Sequence, residues 1–154
     1  MEAVTHFCLD NALCLNIEIK PTPGSESLTG TVVANAAARL WAEAPTGARP
    51  IPPLLSSFQP EALEAAQAAQ SHLPRALLLA VLQSGWLETA LRLGCVAVIC
   101  QHTQWDTLSV QQAQNAGLKV LCYTVNDASA ADRLWALGTD GIITDRVDLF
   151  SSSS

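Results

Sequence analysis

Charge is scarce in this chain. Only 14% of its 154 residues are Asp, Glu, Lys or Arg, and the formal net charge is −6. Hydrophobic residues make up 49%. That balance excludes a disordered chain and supplies enough apolar surface for a core. The eight Lys and Arg form no stripe, so no nucleic-acid partner is expected. No run of about 18 apolar residues occurs, so no membrane span is expected. The start, "MEAVTHFCLD", has neither a basic leader region nor a signal-like apolar stretch. A cytoplasmic location is the resulting expectation. The five cysteines, Cys8, Cys14, Cys95, Cys100 and Cys122, include no CxxC pair. They read as buried reduced thiols rather than as disulfides, zinc ligands or a catalytic thiol. No dinucleotide fingerprint GxGxxG is found either.

What is present is alternation. Residues 2–12 suggest the end of a helix. Leu13–Lys20 reads as a strand, Leu28–Ala44 as a helix with Trp41 near its end and Pro45 as its stop, and Leu54–Phe58 as a short strand. Pro60 opens the next helix, where its missing N–H has no helical partner anyway. Arg75–Val81 is apolar enough for a buried strand. Three units then share one grammar: "LETALRLG" leads to "CVAVIC", "SVQQAQNAG" to "LKVLCYTVN", and "SAADRLWALG" to "TDGIITD". Each is a helix, a glycine and an apolar strand. Gly94, Gly117 and Gly138 stand about 20 residues apart, each where a left-handed residue would end a helix. The further strands expected are Cys95–Cys100, Lys119–Val125 and Gly141–Thr144. The tail "SSSS", residues 151–154, is expected to be disordered.

Strands alternating with helices at this spacing predict an α/β fold with a mostly parallel sheet. An open doubly wound sheet fits the alternation. A whole (β/α)8 barrel needs eight strands and at least about 200 residues, so this chain suits only the later part of one.

In parallel α/β folds ligands gather at the carboxyl ends of strands. The first strand ends with Asn16, Glu18 and Lys20 on one face and Leu15, Ile17 and Ile19 on the other. From spacing alone, Glu18 and Lys20 form either an ion pair on a solvated edge strand or part of a site. Other strand ends supply Ser56 and Ser57, Gln101 and His102, Tyr123, Thr124 and Asn126, and Thr144 and Asp145. His102 reads as a ligand, a general base or a solvated loop histidine. Ser56 lacks an assigned base to make it a nucleophile. "GTDGII" fits a phosphate-cradling turn or an ordinary helix end.

Taken together, "NIEIKP", "LLSSFQPEALEA", "GLKVLCYTVND" and "ALGTDGIITD" resemble four motifs of the bacterial glycerophosphodiester phosphodiesterases, from about Leu13 to Phe150. The resemblance implies a (β/α)8 TIM-type barrel of the PI-PLC-like phosphodiesterase kind, and metal-dependent hydrolysis of glycerophosphodiesters to an alcohol and glycerol 3-phosphate. It implies Mg2+ or Ca2+ as cofactor, Glu18 as a metal ligand, Lys20 near the phosphate, and Tyr123 on the glycerol side of the pocket. Carboxylate oxygens suit hard divalent ions, and a lysine offers a phosphate a point charge.

The chain also departs from that family. The family's His-Arg-Gly, Glu/Asp and His-Asp motifs are missing. His6, His72 and His102 are followed by Phe7, Leu73 and Thr103, so neither histidine motif is present. The expectation is one partial domain over residues 1–150 that lacks the first strands of the barrel. It has no catalytic residue of its own, binds metal weakly or not at all, and is inactive by itself toward its small-molecule substrate. The alternative is a non-catalytic half-barrel that assembles with itself or another chain through exposed sheet edges.

Overall fold

The computed structural model describes residues 1–43 and 51–150. They fall into two compact units, Met1–Leu77 and the residues from Leu78 onward. Helix and strand alternate as expected: α1 (Glu2–Asp10), β1 (Asn16–Glu18), α2 (Glu26–Ala42), β2 (Leu54–Ser57), α3 (Pro60–Ala69), β3 (Arg75–Leu79), α4 (Trp86–Arg92), β4 (Ala97–Gln101), α5 (Thr107–Asn115), β5 (Lys119–Tyr123), α6 (Ala128–Leu137) and β6 (Gly141–Ile142). The six expected strands are all present, each trimmed or shifted by a few residues. β1 is the most shortened, and the N–H of Leu13, its expected start, instead donates to the Cys8 carbonyl near the end of α1. The helix expected from Leu28 begins two residues earlier, at Glu26, and Trp41 is near its end. Its expected end at Ala44, the stop at Pro45 and the serine tail lie outside the described residues.

In the first unit β1 pairs with β2, and β2 with β3, all parallel. The register sets Asn16 beside Leu54, Ile17 beside Leu55, and Glu18 beside Ser56. On one side, Ile19 and Leu55 join Ala34 and Ala37 of α2, Ala62 and Ala66 of α3, and Leu73 in a buried core, with Ile17 packed against it. Burying an Ile or Leu side chain stabilises by about 1.5–3 kcal/mol. That side therefore fixes the sheet's orientation, and Asn16, Glu18 and Lys20 fall on the opposite, exposed side. The alanine-rich faces let α2 and α3 approach closely. Gly30 sits at the contact, buried, with the Ala62 backbone where a side chain would begin.

In the second unit β4, β5 and β6 are parallel, with Cys100 beside Cys122 and Gln101 beside Tyr123. Burial pushes both of these thiols up to about 11, and all five cysteines are free, four of them buried. Gly94, Gly117 and Gly138 all have positive φ, as the helix–glycine–strand units require. Asp106 caps α5 through a reciprocal bond pair with Ser109, and Asp127 caps α6 by accepting from the Ala130 N–H. Asp140 accepts from Lys119 Nζ and from the Val120 N–H, each at 2.8 Å, which ties the starts of β5 and β6 together.

Gly30→Ala tests the helix contact. The added methyl would overlap the Ala62 carbonyl, and backbone cannot give way as a side chain can. A loss of at least about 1–3 kcal/mol is expected, read as a lower urea midpoint. An unchanged midpoint would show that α2 and α3 stand further apart.

Candidate functional site

The exposed face of β1 is built by the strand's own alternation. Ile17 and Ile19 are drawn to the helix side, so Glu18 and Lys20 project to the other. No ion pair among the described residues joins Glu18 to Lys20, so the ion-pair reading of this strand end is not realised. Both remain exposed.

The neighbouring strand end holds this face in place. The Ile19 N–H donates to the Ser56 carbonyl at 2.6 Å. The Ser57 hydroxyl donates to the Ile19 carbonyl at 2.6 Å and accepts from the Gln59 N–H at 3.1 Å. Both backbone groups of Ile19, the residue between Glu18 and Lys20, are therefore fixed to β2. Ser57 is fully buried on the helix side and acts through backbone. Ser56, one residue earlier, is also fully buried but lies on the Glu18 side, and its hydroxyl has no hydrogen-bond partner.

In the second unit Tyr123 ends β5 and is half-buried, its hydroxyl donating to the Leu79 carbonyl at 2.9 Å. The polar residues at nearby strand ends are largely occupied with one another. Asn126 accepts from the Thr144 hydroxyl at 3.1 Å and from the Asp145 N–H at 3.0 Å, and it donates to the Asp145 carboxylate at 3.3 Å. These three strand-end residues join the loop after β5 to the loop after β6. The "GTDGII" turn is a helix end. Gly138 caps α6 in the left-handed region, and the Thr139 hydroxyl donates to the Leu134 carbonyl. A side chain at Gly141 would meet Leu121.

His102 begins a 3-10 turn after β4 and is half-buried, with Nδ1 buried and unpartnered. It lines a cavity of about 530 Å3 with Thr103, Asp127, Ser129, Ala130 and Arg133. Arg133 donates to the carbonyls of His102 and Trp105 at 2.5 and 3.2 Å, so it braces the turn. Asp127 is held below the usual carboxylate range, first by the Ser129 hydroxyl, then by the Ala130 N–H, with a smaller contribution from His102. Its carboxylate already serves as the helix cap. Among the described residues no three or more His, Cys, Asp or Glu side chains gather as a metal site would need.

One family profile matches the chain over nearly its whole length. Residues 1–149 match the profile described as the glycerophosphoryl diester phosphodiesterase family. A phosphodiesterase of Oleispira antarctica, solved in complex with the product sn-glycerol-3-phosphate, is 28% identical with a TM-score of 0.81, over 94% of this chain and 56% of that one. A Silicibacter pomeroyi protein is 21% identical with a TM-score of 0.79, over 94% of this chain and 52% of its own. A glycerophosphodiester phosphodiesterase of Agrobacterium tumefaciens is 16% identical with a TM-score of 0.68, over 97% of this chain and 59% of its own. No curated sequence matches. The fold class is thus α/β, part of a (β/α)8 TIM-type barrel, and the chain spans a little over half the length of these solved structures.

Ser57→Ala tests the lock behind Glu18 and Lys20. It leaves a buried carbonyl without its donor, which costs about 1–3 kcal/mol. Chemical denaturation should show that loss. An unaltered stability would mean the hydroxyl bonds are not formed in solution.

Proposed function

The chain belongs to the glycerophosphoryl diester phosphodiesterase family, and we propose that residues 1–150 form one partial domain serving hydrolysis of small glycerophosphodiesters to an alcohol and glycerol 3-phosphate. The observation that carries this reading is the exposed Glu18–Lys20 face at the carboxyl end of β1, in a chain matched to the family over nearly its whole length. Lys20 supplies a positive charge to the phosphate. Tyr123, its hydroxyl tied to the Leu79 carbonyl, offers a fixed ring to the glycerol portion. Glu18 is the residue that would contribute to a divalent metal. The family's chemistry calls for such an ion, but one carboxylate is too few oxygen ligands for Mg2+ or Ca2+, and the described residues supply no cluster around it. The residues present therefore do not fit a metal site, and no step is assigned to one.

Acid–base catalysis is equally short of groups. Of the three histidines, His6 is on α1, His72 follows α3 and His102 is in the second unit, so none is on β1 or β2. Each absent acid or base typically costs 10²–10⁴-fold in rate. The 154-residue polypeptide by itself is accordingly assigned little or no hydrolysis, in a cytoplasmic setting. Among the described residues no helix is long and apolar enough to cross a membrane.

The assay is release of glycerol 3-phosphate from glycerophosphocholine. The chain alone should release none above background. Supplying the family's His-Arg-Gly, Glu/Asp and His-Asp strands, in cis or as a second chain, should restore release. In that enzyme Glu18→Ala should abolish release, because it removes an oxygen ligand of the divalent ion, and Lys20→Ala should chiefly raise KM. Full activity of the restored Glu18→Ala protein would contradict the assignment of Glu18.

A second reading is favoured by β1 itself, which pairs with β2 and with no other strand among the described residues. A parallel strand with one open edge is a template for association. On this reading the chain is a non-catalytic half-barrel that assembles with a copy of itself or with another chain. Sedimentation velocity should then show a mass that rises with concentration, whereas a monomer at every concentration would exclude self-association.

A further inference from the structure

Two side chains that face each other across β1 and β2 each lack what the other offers. Ser56 is fully buried and its hydroxyl is unpartnered. Leaving a buried donor unsatisfied is destabilising, and an alanine would avoid it. β3 has Ala76 at the position paired with Ser56. The adjacent Ser57 uses its hydroxyl both as donor and as acceptor, so burial of a serine here does not of itself leave it orphaned. Glu18, paired with Ser56 in the register, is exposed and has no side-chain bond among the described residues. Neighbouring parallel strands are about 4.8 Å apart, and paired residues project to the same side. A glutamate turning about its side-chain bonds spans that distance.

We propose that Ser56 is a positioning residue for Glu18. The inference rests on the reading of this face as a glycerophosphate site. When Lys20 holds the phosphate, the Glu18 carboxylate turns over β2. One of its oxygens accepts the Ser56 hydroxyl, and the other accepts a hydroxyl of the ligand's glycerol. The donor is fixed in the sheet and the acceptor is mobile, so the bond forms only with ligand in place. Ser56 thus lowers the stability of the free chain and strengthens the bound state. A purely structural serine would do the reverse in the free chain.

The test uses the 154-residue chain, with sn-glycerol 3-phosphate as the probe and the thermal midpoint as the readout. Without ligand, Ser56→Ala should melt about 2–4 °C higher than the wild type. Ligand should raise the wild-type midpoint. Ser56→Ala should bind about tenfold more weakly, as the loss of one hydrogen bond to a charged group implies, and Ser56→Thr should restore the affinity. A lower midpoint for ligand-free Ser56→Ala would overturn the proposal, because the hydroxyl would then have a partner already. Equal affinity of wild type and Ser56→Ala, with binding lost in Lys20→Ala, would also overturn it while leaving the site reading intact. No ligand effect on wild type or any variant would strike the site reading itself, and the role of Ser56 would fall with it.

Discussion

Two hydrogen bonds to one residue hold the candidate site together. Ile19 gives its N–H to the Ser56 carbonyl, and its own carbonyl accepts the Ser57 hydroxyl, both at 2.6 Å. The side chain of Ile19 is meanwhile buried in the core with Leu55 and the alanines of α2 and α3. Glu18 precedes this residue and Lys20 follows it, so neither needs a bond of its own to be placed. Packing on one side of the sheet fixes the chemistry offered on the other. A shift of register by one residue would turn Ile19 to solvent and Glu18 into the core, and the core would resist it. The Gln59 N–H bond to Ser57 extends the same lock to the start of α3.

Much of this was legible in the residues. The helix–glycine–strand repeat located β4, β5 and β6, and Gly94, Gly117 and Gly138 do adopt positive φ. The polar and apolar sets of the "NIEIK" strand separated onto opposite sides as their spacing required. Element ends were less legible. Leu13, Leu15 and Ile19 are as apolar as β1, yet ladder pairing, which depends on the neighbouring strand, limits it to Asn16–Glu18. Side-chain bonds to backbone left no trace in periodicity. Nothing in "LLSSF" says which serine will bond to Ile19 and which will be left without a partner. Likewise Asn126, Thr144 and Asp145 looked like site residues because they are polar and end strands, but they bond to one another. Arg133, which braces the turn at His102, lies 31 residues from it and gave no local signal.

The family match adds what the geometry alone does not contain. It turns an exposed carboxylate and lysine into a reading about phosphodiesters. The chain covers 56% of the Oleispira antarctica phosphodiesterase.

The central claim is that the site's shape is set by the lock at Ile19, and native-state hydrogen exchange reads that lock directly. The Ile19 amide should exchange as slowly as the slowest core amides of the first unit, opening only when that unit unfolds. Exchange of the Ile19 amide as fast as that of the exposed turn at Thr22–Gly24 would contradict the account, because Glu18 and Lys20 would then stand on a segment that nothing holds.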